Sequence, residues 1–292
     1  CEKGAGLKPH SDELDMYHFK YERILKSVTG AKGKRGRVGL PLALGYYEQL
    51  PLWAGFFEAC GFEVVLSEES SRRLYFRGQH TVASDTVCYP AKLTHGHIES
   101  LLDKGVDFIF FPCESYNLDE HDSVNHYNCP VVAYYPELLK ANNERLDDEN
   151  FVMPYLDLND EKSSVRALQR ALARWKVRPR EIKAGLAEGF ARLNRYYADV
   201  RAEGERILAA ARKEGKPVVV LAGRPYHIDP EINHGIGKLL TSLGIAVLSE
   251  DSIFDKGKQV LVNVLNQWTY HARLYRAAEF VTENEDVNLV QL

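Results

Sequence analysis

The strongest constraint on the fold is a set of short, unbroken apolar runs separated by longer stretches of helical periodicity. Val106-Asp107-Phe108-Ile109-Phe110-Phe111, Val131-Val132-Ala133-Tyr134, Pro217-Val218-Val219-Val220-Leu221-Ala222 and Ile245-Ala246-Val247-Leu248 are rich in β-branched and aromatic residues. Such runs suit parallel strands covered on both faces. Val38–Leu42, Phe62–Ser67 and Val287–Leu292 read as further strands. Helices are predicted between them: Tyr46–Cys60, ended by Gly61; Pro90–Lys104, with Pro90 in the first turn and Gly105 as the stop; Glu231–Leu243, capped by Gly244; and a long one near Val260–Asn284. The alternation predicts an α/β protein whose sheets are open and mostly parallel.

The chain divides into an N-terminal arm (1–34), a first α/β lobe carrying the cysteine loops (35–145), a helical connector (146–216) and a second α/β lobe (217–292). The arm reads as irregular, and the basic run Lys32–Arg37 as a solvated linker. The connector is densest in helical pattern from Asp160 to Lys216.

A length of 292 residues suits about two domains, and 45% hydrophobic with 27% charged residues is globular composition. A net charge of −4 gives no electrostatic reason to expect nucleic acid as a partner. No apolar run is long enough for a membrane span, and Cys1–Gly6 has neither a signal peptide's apolar core nor an initiator Met. The expectation is a soluble, cytoplasmic piece of a longer protein. Five cysteines are too few, and odd in number, for a disulfide scaffold, so metal binding or catalysis is the better use for those in loops.

Three of them are in loops around the first predicted sheet. Cys88 opens a helix, where free N–H groups and the helix dipole suit an anionic sulfur. Cys113 follows the strand ending at Phe111, and Cys129 lies in Tyr127-Asn128-Cys129-Pro130. Three thiolates suit a 4Fe–4S cluster with one iron open to another ligand. A zinc site completed by His95, His97 or His126 is the competing metal reading, and three unrelated cysteines the bland one. Cys60 reads as core; Cys1 is left open as a further ligand.

In the second lobe, Gly223-Arg224-Pro225-Tyr226-His227-Ile228-Asp229 follows a buried strand and opens a helix. Gly223 permits a tight turn, and Arg224 and His227 offer donors to an anion or a reacting carbonyl, which makes them the candidate catalytic pair. A rigid βα turn is the alternative. His234 and Gly235 read as packing residues; Trp268, Tyr270, His271 and Arg273 read as structural, with His271 or Arg273 also candidates to line a cleft. No P-loop is present, so this chain is not expected to hydrolyse ATP.

The strings Ser84–His97, Phe111-Pro112-Cys113, His126–Val131 and Gly223–Ile236 resemble the uncharacterised region attached to activases of 2-hydroxyacyl-CoA dehydratases. That region is itself similar to the dehydratase subunits and to double-cubane-cluster reductases. The resemblance implies two Rossmann-like lobes joined by the connector, with Cys88, Cys113 and Cys129 as cluster ligands in the cleft between them. It also implies an ATP-hydrolysing activase domain, in the same longer chain or separate, that drives low-potential electrons into the cluster. In the dehydratases those electrons reduce a CoA thioester to a radical that loses water. The family pattern continues past Val287–Leu292 with a further segment containing glycine and cysteine. Two positions depart from it: Cys60 stands where leucine is usual, and Leu42 where arginine is expected.

Three functions follow as expectations. The leading one is an iron–sulfur redox module that receives electrons from an activase. The second is a reductase or dehydratase lobe pair acting on an acyl-CoA or another small molecule. The third is a zinc-binding or metal-free structural domain. The leading reading expects the three sulfurs to converge and Arg224 or His227 to face the same cleft.

Overall fold

A computed structural model describes residues 12–292. Cys1 and most of the expected arm lie outside the described residues. In chain order the elements are α1 (Met16–Leu25), β1 (Arg37–Leu40), α2 (Tyr46–Ala59), β2 (Glu63–Leu66), α3 (Arg72–Gly78), α4 (Tyr89–Asp103), β3 (Phe108–Phe110), α5 (Pro130–Asn142), β4 (Phe151–Val152), α6 (Glu161–Ala171), α7 (Pro179–Glu214), β5 (Val218–Ala222), α8 (Pro230–Asn233), α9 (Ile236–Ser242), β6 (Ala246–Ser249), α10 (Thr269–Thr282) and β7 (Val287–Gln291). The α/β class expected from the alternating pattern is what the strands and helices form. Both sheets are wholly parallel among the described residues, in the orders β2-β1-β3-β4 and β6-β5-β7.

Two compact units carry one sheet each. The first-sheet unit comprises residues 24–119 and 126–194; the other comprises the chain up to residue 23, residues 120–125, and residues 195–292. The division falls inside α7, so the stretch read as a connector contributes to both units.

The first sheet is built on aromatic packing. Trp53, Phe56 and Phe57 of α2 meet Phe62, Phe108 and Phe110, with ring centroids 4.8–6.0 Å apart, and all are essentially inaccessible. Each buried aromatic contributes roughly 1.5–3 kcal/mol of transfer free energy, which makes α2 the keel of this unit. Helix α7 reaches it closely because Gly189 faces Leu52 and Gly185 faces Phe56 and Cys60. A Cβ at Gly189 would stand 2.4 Å from the Leu52 carbonyl oxygen. Cys60 is buried at the end of α2, as expected of a core residue, and burial pushes its thiol up to about 12.

The other unit wraps its sheet with α1, a helix where the sequence suggested an irregular arm. Met16, Tyr17 and Ile24 are buried, the Tyr17 hydroxyl donates to the Leu221 carbonyl at 3.1 Å, and Lys20 pairs with Asp251 at 2.7 Å. Tertiary burial overrides the weak local pattern there. The linker reading of the basic run also needs correction: Arg35 donates to the Cys60 carbonyl and pairs with Glu181, and Arg37 lies in β1.

Three further expectations are corrected. Val131–Tyr134 is helical, part of α5, because Pro130 occupies the first turn behind the N-cap Cys129. Glu231–Leu243 is broken into α8 and α9 by His234 and Gly235, whose φ values are +54° and +72°. The last helix begins only at Thr269; Lys258–Asn266 is irregular, with Leu261 and Leu265 exposed.

Candidate functional site

In an open parallel sheet, ligands bind beyond the carboxyl ends of the strands, at the point where the strand order reverses. In the first sheet β1 lies between β2 and β3, so that point is the β1–β3 boundary. Cys113 stands three residues past β3. Its N–H donates to the Pro154 carbonyl at 2.9 Å, and its carbonyl accepts from Leu156 at 3.0 Å, which extends the β3–β4 pairing by one bridge. Helices α4 and α5 lead into β3 and β4. A helix that returns to the start of a parallel strand must itself begin at the carboxyl side of the sheet. Cys88 and Cys129 are the N-cap residues of α4 and α5. All three candidate ligands therefore occupy the functional edge of one sheet, within one unit.

The two N-cap cysteines are exposed, and neither side chain makes a capping hydrogen bond. Cys113 is buried; burial, reinforced by Glu137, pushes its thiol up to about 12.

Cys113 and Cys129 end the arms of a hairpin-like loop. Tyr116 and Tyr127 bridge in antiparallel fashion, with their rings stacked at 5.0 Å. Asn117 N–H donates to the His126 carbonyl at 2.7 Å, and Asn128 N–H to that of Ser115 at 2.9 Å. One more step of this register sets Glu114 opposite Cys129, with Cys113 beside it. Burial pushes the Glu114 carboxyl up to about 8; it accepts from Gln49 Nε2 at 2.7 Å through one oxygen, and the other has no partner. Asn117 Nδ2 and Asn128 Oδ1 are likewise buried without partners. Three orphaned polar atoms in one loop make it the least satisfied buried region of this unit.

Helix α5 ties in Cys88 as well. His95 Nε2 meets the Tyr135 hydroxyl at 2.9 Å, and that phenol is pushed up to about 12 by burial and by the charge Cys88 would carry as a thiolate. Among the described residues, however, no three His, Cys, Asp or Glu side chains are grouped closely enough to hold one metal ion.

The zinc reading loses two of its histidines. His95 spends its nitrogens on the Thr81 and Tyr135 hydroxyls, and His97 spends its own on Ser67 and Ser70, at 2.7–3.0 Å. Burial depresses them to about 4 and about 3, so both are neutral structural rings inside α4.

In the other unit the order reverses between β5 and β7, and the Gly223–Asp229 turn follows β5. Arg224 N–H donates to His227 Nδ1 at 2.8 Å, so the neutral ring carries its proton on Nε2 and can offer a ligand only a donor there. Burial, then Arg224 and Lys20, depress His227 to about 4. Gly223 is required by that ring: a Cβ would stand 2.3 Å from Nδ1. Arg224 Nη2 lies 3.2 Å from His271 Nε2, while His271 Nδ1 is buried without a partner. Arg224 and His227 thus lie in one unit and the three cysteines in the other.

These features define an α/β protein with two parallel sheets and, at the switch point of one, a loop edged by cysteines. Residues 37–253 match the CoA enzyme activase uncharacterised domain (DUF2229), and the chain belongs to that family. No curated protein and no solved structure matches the chain. No helix among the described residues is long and apolar enough to cross a membrane.

Proposed function

We propose that this domain is an iron–sulfur redox module in which Cys88, Cys113 and Cys129 hold a 4Fe–4S cluster that accepts low-potential electrons from an ATP-dependent activase domain. One observation carries the reading: three cysteines, far apart in sequence, share the carboxyl side of one parallel sheet, and Cys113 stands at its switch point. Membership of a CoA enzyme activase domain family supports the link to such a system.

The donor set suits the group. A cluster, when bound, supplies one-electron transfer at a potential tuned by burial and hydrogen bonds. A single ion gathers its sulfurs around one centre, with bonds of about 2.3 Å, whereas a cubane spreads its thiolates roughly 6–7 Å apart. The lack of a tight three-donor group among the described residues therefore weighs against one zinc ion more than against a cluster. The chain's own contributions are two exposed sulfurs at helix starts, a buried third sulfur, and the orphaned Glu114, Asn117 and Asn128 atoms beside it.

The test is anaerobic reconstitution with iron and sulfide. Wild type should take up both, with a broad visible absorption, and Cys88→Ala, Cys113→Ala and Cys129→Ala should each lose it while Cys60→Ala keeps it. Uptake unchanged by all three substitutions would refute the ligand set.

A second reading, a lobe pair that also binds an acyl-CoA or other small molecule, draws on the buried, unpartnered His271 Nδ1 beside the Arg224 guanidinium. Turnover of an acyl-CoA with a low-potential reductant, abolished by Arg224→Gln, would favour it.

A further inference from the structure

The loop between Cys113 and Cys129 is held at its tip by two ion pairs to one face of α10. Arg273 grips Glu120 through Nε at 2.8 Å and Nη2 at 2.6 Å, and Arg276 meets Asp122 at 2.6 Å. The Arg273 side chain is 3% exposed and that of Asp122 11%, so these are not solvated surface pairs. The spacings match: residues i and i+3 on a helix, and i and i+2 on an extended chain, both present side chains about 5–7 Å apart. Backbone bonds complete the grip, with Val124 N–H donating to the Asn266 carbonyl at 2.9 Å and Asn266 Nδ2 to the Asp122 carbonyl at 3.2 Å. All of these tip residues belong to the β5–β6–β7 unit, whereas the two arms and both cysteines belong to the other.

We propose that Glu120, Asp122, Arg273 and Arg276 form a register key for the cysteine loop, a role that rests on the cluster reading. A β-ladder of three residue pairs with no apolar face to sort it is free to slip by one residue. A slip at the tip would present His121 and Ser123 in place of the two carboxylates and strand two buried guanidinium charges, which is strongly disfavoured. With the key engaged, Ser115 faces Asn128, Tyr116 faces Tyr127, and Cys129 is set beside Cys113. The four charged residues are positioning residues: they touch neither sulfur, yet they set which residues stand opposite the cysteines.

The test uses the metal-free chain and maleimide labelling read cysteine by cysteine with mass spectrometry. In wild type Cys113 and Cys60 should label slowly and Cys88 and Cys129 quickly. The Glu120→Gln, Asp122→Asn double variant keeps side-chain volume and removes the charge. It should raise the Cys113 rate at least tenfold while Cys60 stays protected, and Glu120→Asp with Asp122 intact should recover most of the protection. A Cys113 rate within twofold of wild type would overturn the proposal. So would Cys113 and Cys60 rising by the same factor, which would make the pairs supports of the whole fold. Because the assay needs no metal, its failure is separate from that of the cluster reading, which iron analysis of wild type decides.

Discussion

Gly223 and His97 show how single residues divide the work between shape and charge. A methyl group at Gly223 would drive into the His227 ring and stand 3.2 Å from the Tyr17 hydroxyl, both parts of a packed core. Gly223→Ala should cost about 1–3 kcal/mol of stability, read as a lower urea midpoint. At Gly105, where nothing lies within 4 Å and φ is +60°, the same change should cost only the backbone strain, about 1 kcal/mol. His97 is lowered from 6.5 to about 3 by burial, deepened by Lys104 and opposed by the Glu68 backbone. Its folded value lies below its unfolded one, so the unfolded chain takes up the proton first. Stability is complete above about pH 6.5 and falls as pH drops towards 3, by up to roughly 1.4 kcal/mol per pH unit. His97→Gln should be less stable at pH 8, having lost a hydroxyl contact, but its stability should fall less steeply between pH 6 and 5. An unchanged slope in denaturant titrations would show that His97 does not set the acid response.

Among the elements, α4 and α5 carry an unusual choice. Serine or aspartate at an N-cap satisfies a free N–H and stabilises a helix by about 0.5–2 kcal/mol over a residue that cannot, and Cys88 and Cys129 make no such bond. Cys88→Ser and Cys129→Ser should therefore raise the Tm of the metal-free chain slightly while lowering iron uptake. A fall in Tm with iron retained would mean that the cysteines serve packing. The same elements mark what the sequence made legible. The buried runs at Phe108–Phe110, Val218–Ala222 and Ala246–Ser249 were readable because strands covered on both faces must be continuously apolar. Val131–Tyr134 has the same composition but lies behind Cys129-Pro130, a helix start that should have outweighed the β-branched run. Helix α1 was hidden because its stability comes from Tyr17 and Lys20 contacts more than 200 residues away. At the site, Cys88, Cys113 and Cys129 were visible as loop cysteines. Glu114, Asn128 and the Arg273–Glu120 pair were not, since the hairpin register and a contact across 153 residues have no local pattern.

At the scale of the molecule, two parallel sheets each present a loop at a switch point, and the two loops differ in chemistry: soft sulfur donors beside a near-neutral carboxyl in one unit, a guanidinium and neutral imidazoles in the other. Fold alone does not choose a function among the many that open α/β sheets support. The choice rests on the sulfurs, and it is tested most directly by metal analysis of the intact chain, purified and reconstituted without oxygen. The account predicts about four irons and four sulfides per chain, lost when Cys113 is replaced by alanine. Stoichiometric zinc without iron, or iron that survives the loss of Cys88, Cys113 and Cys129 together, would contradict it.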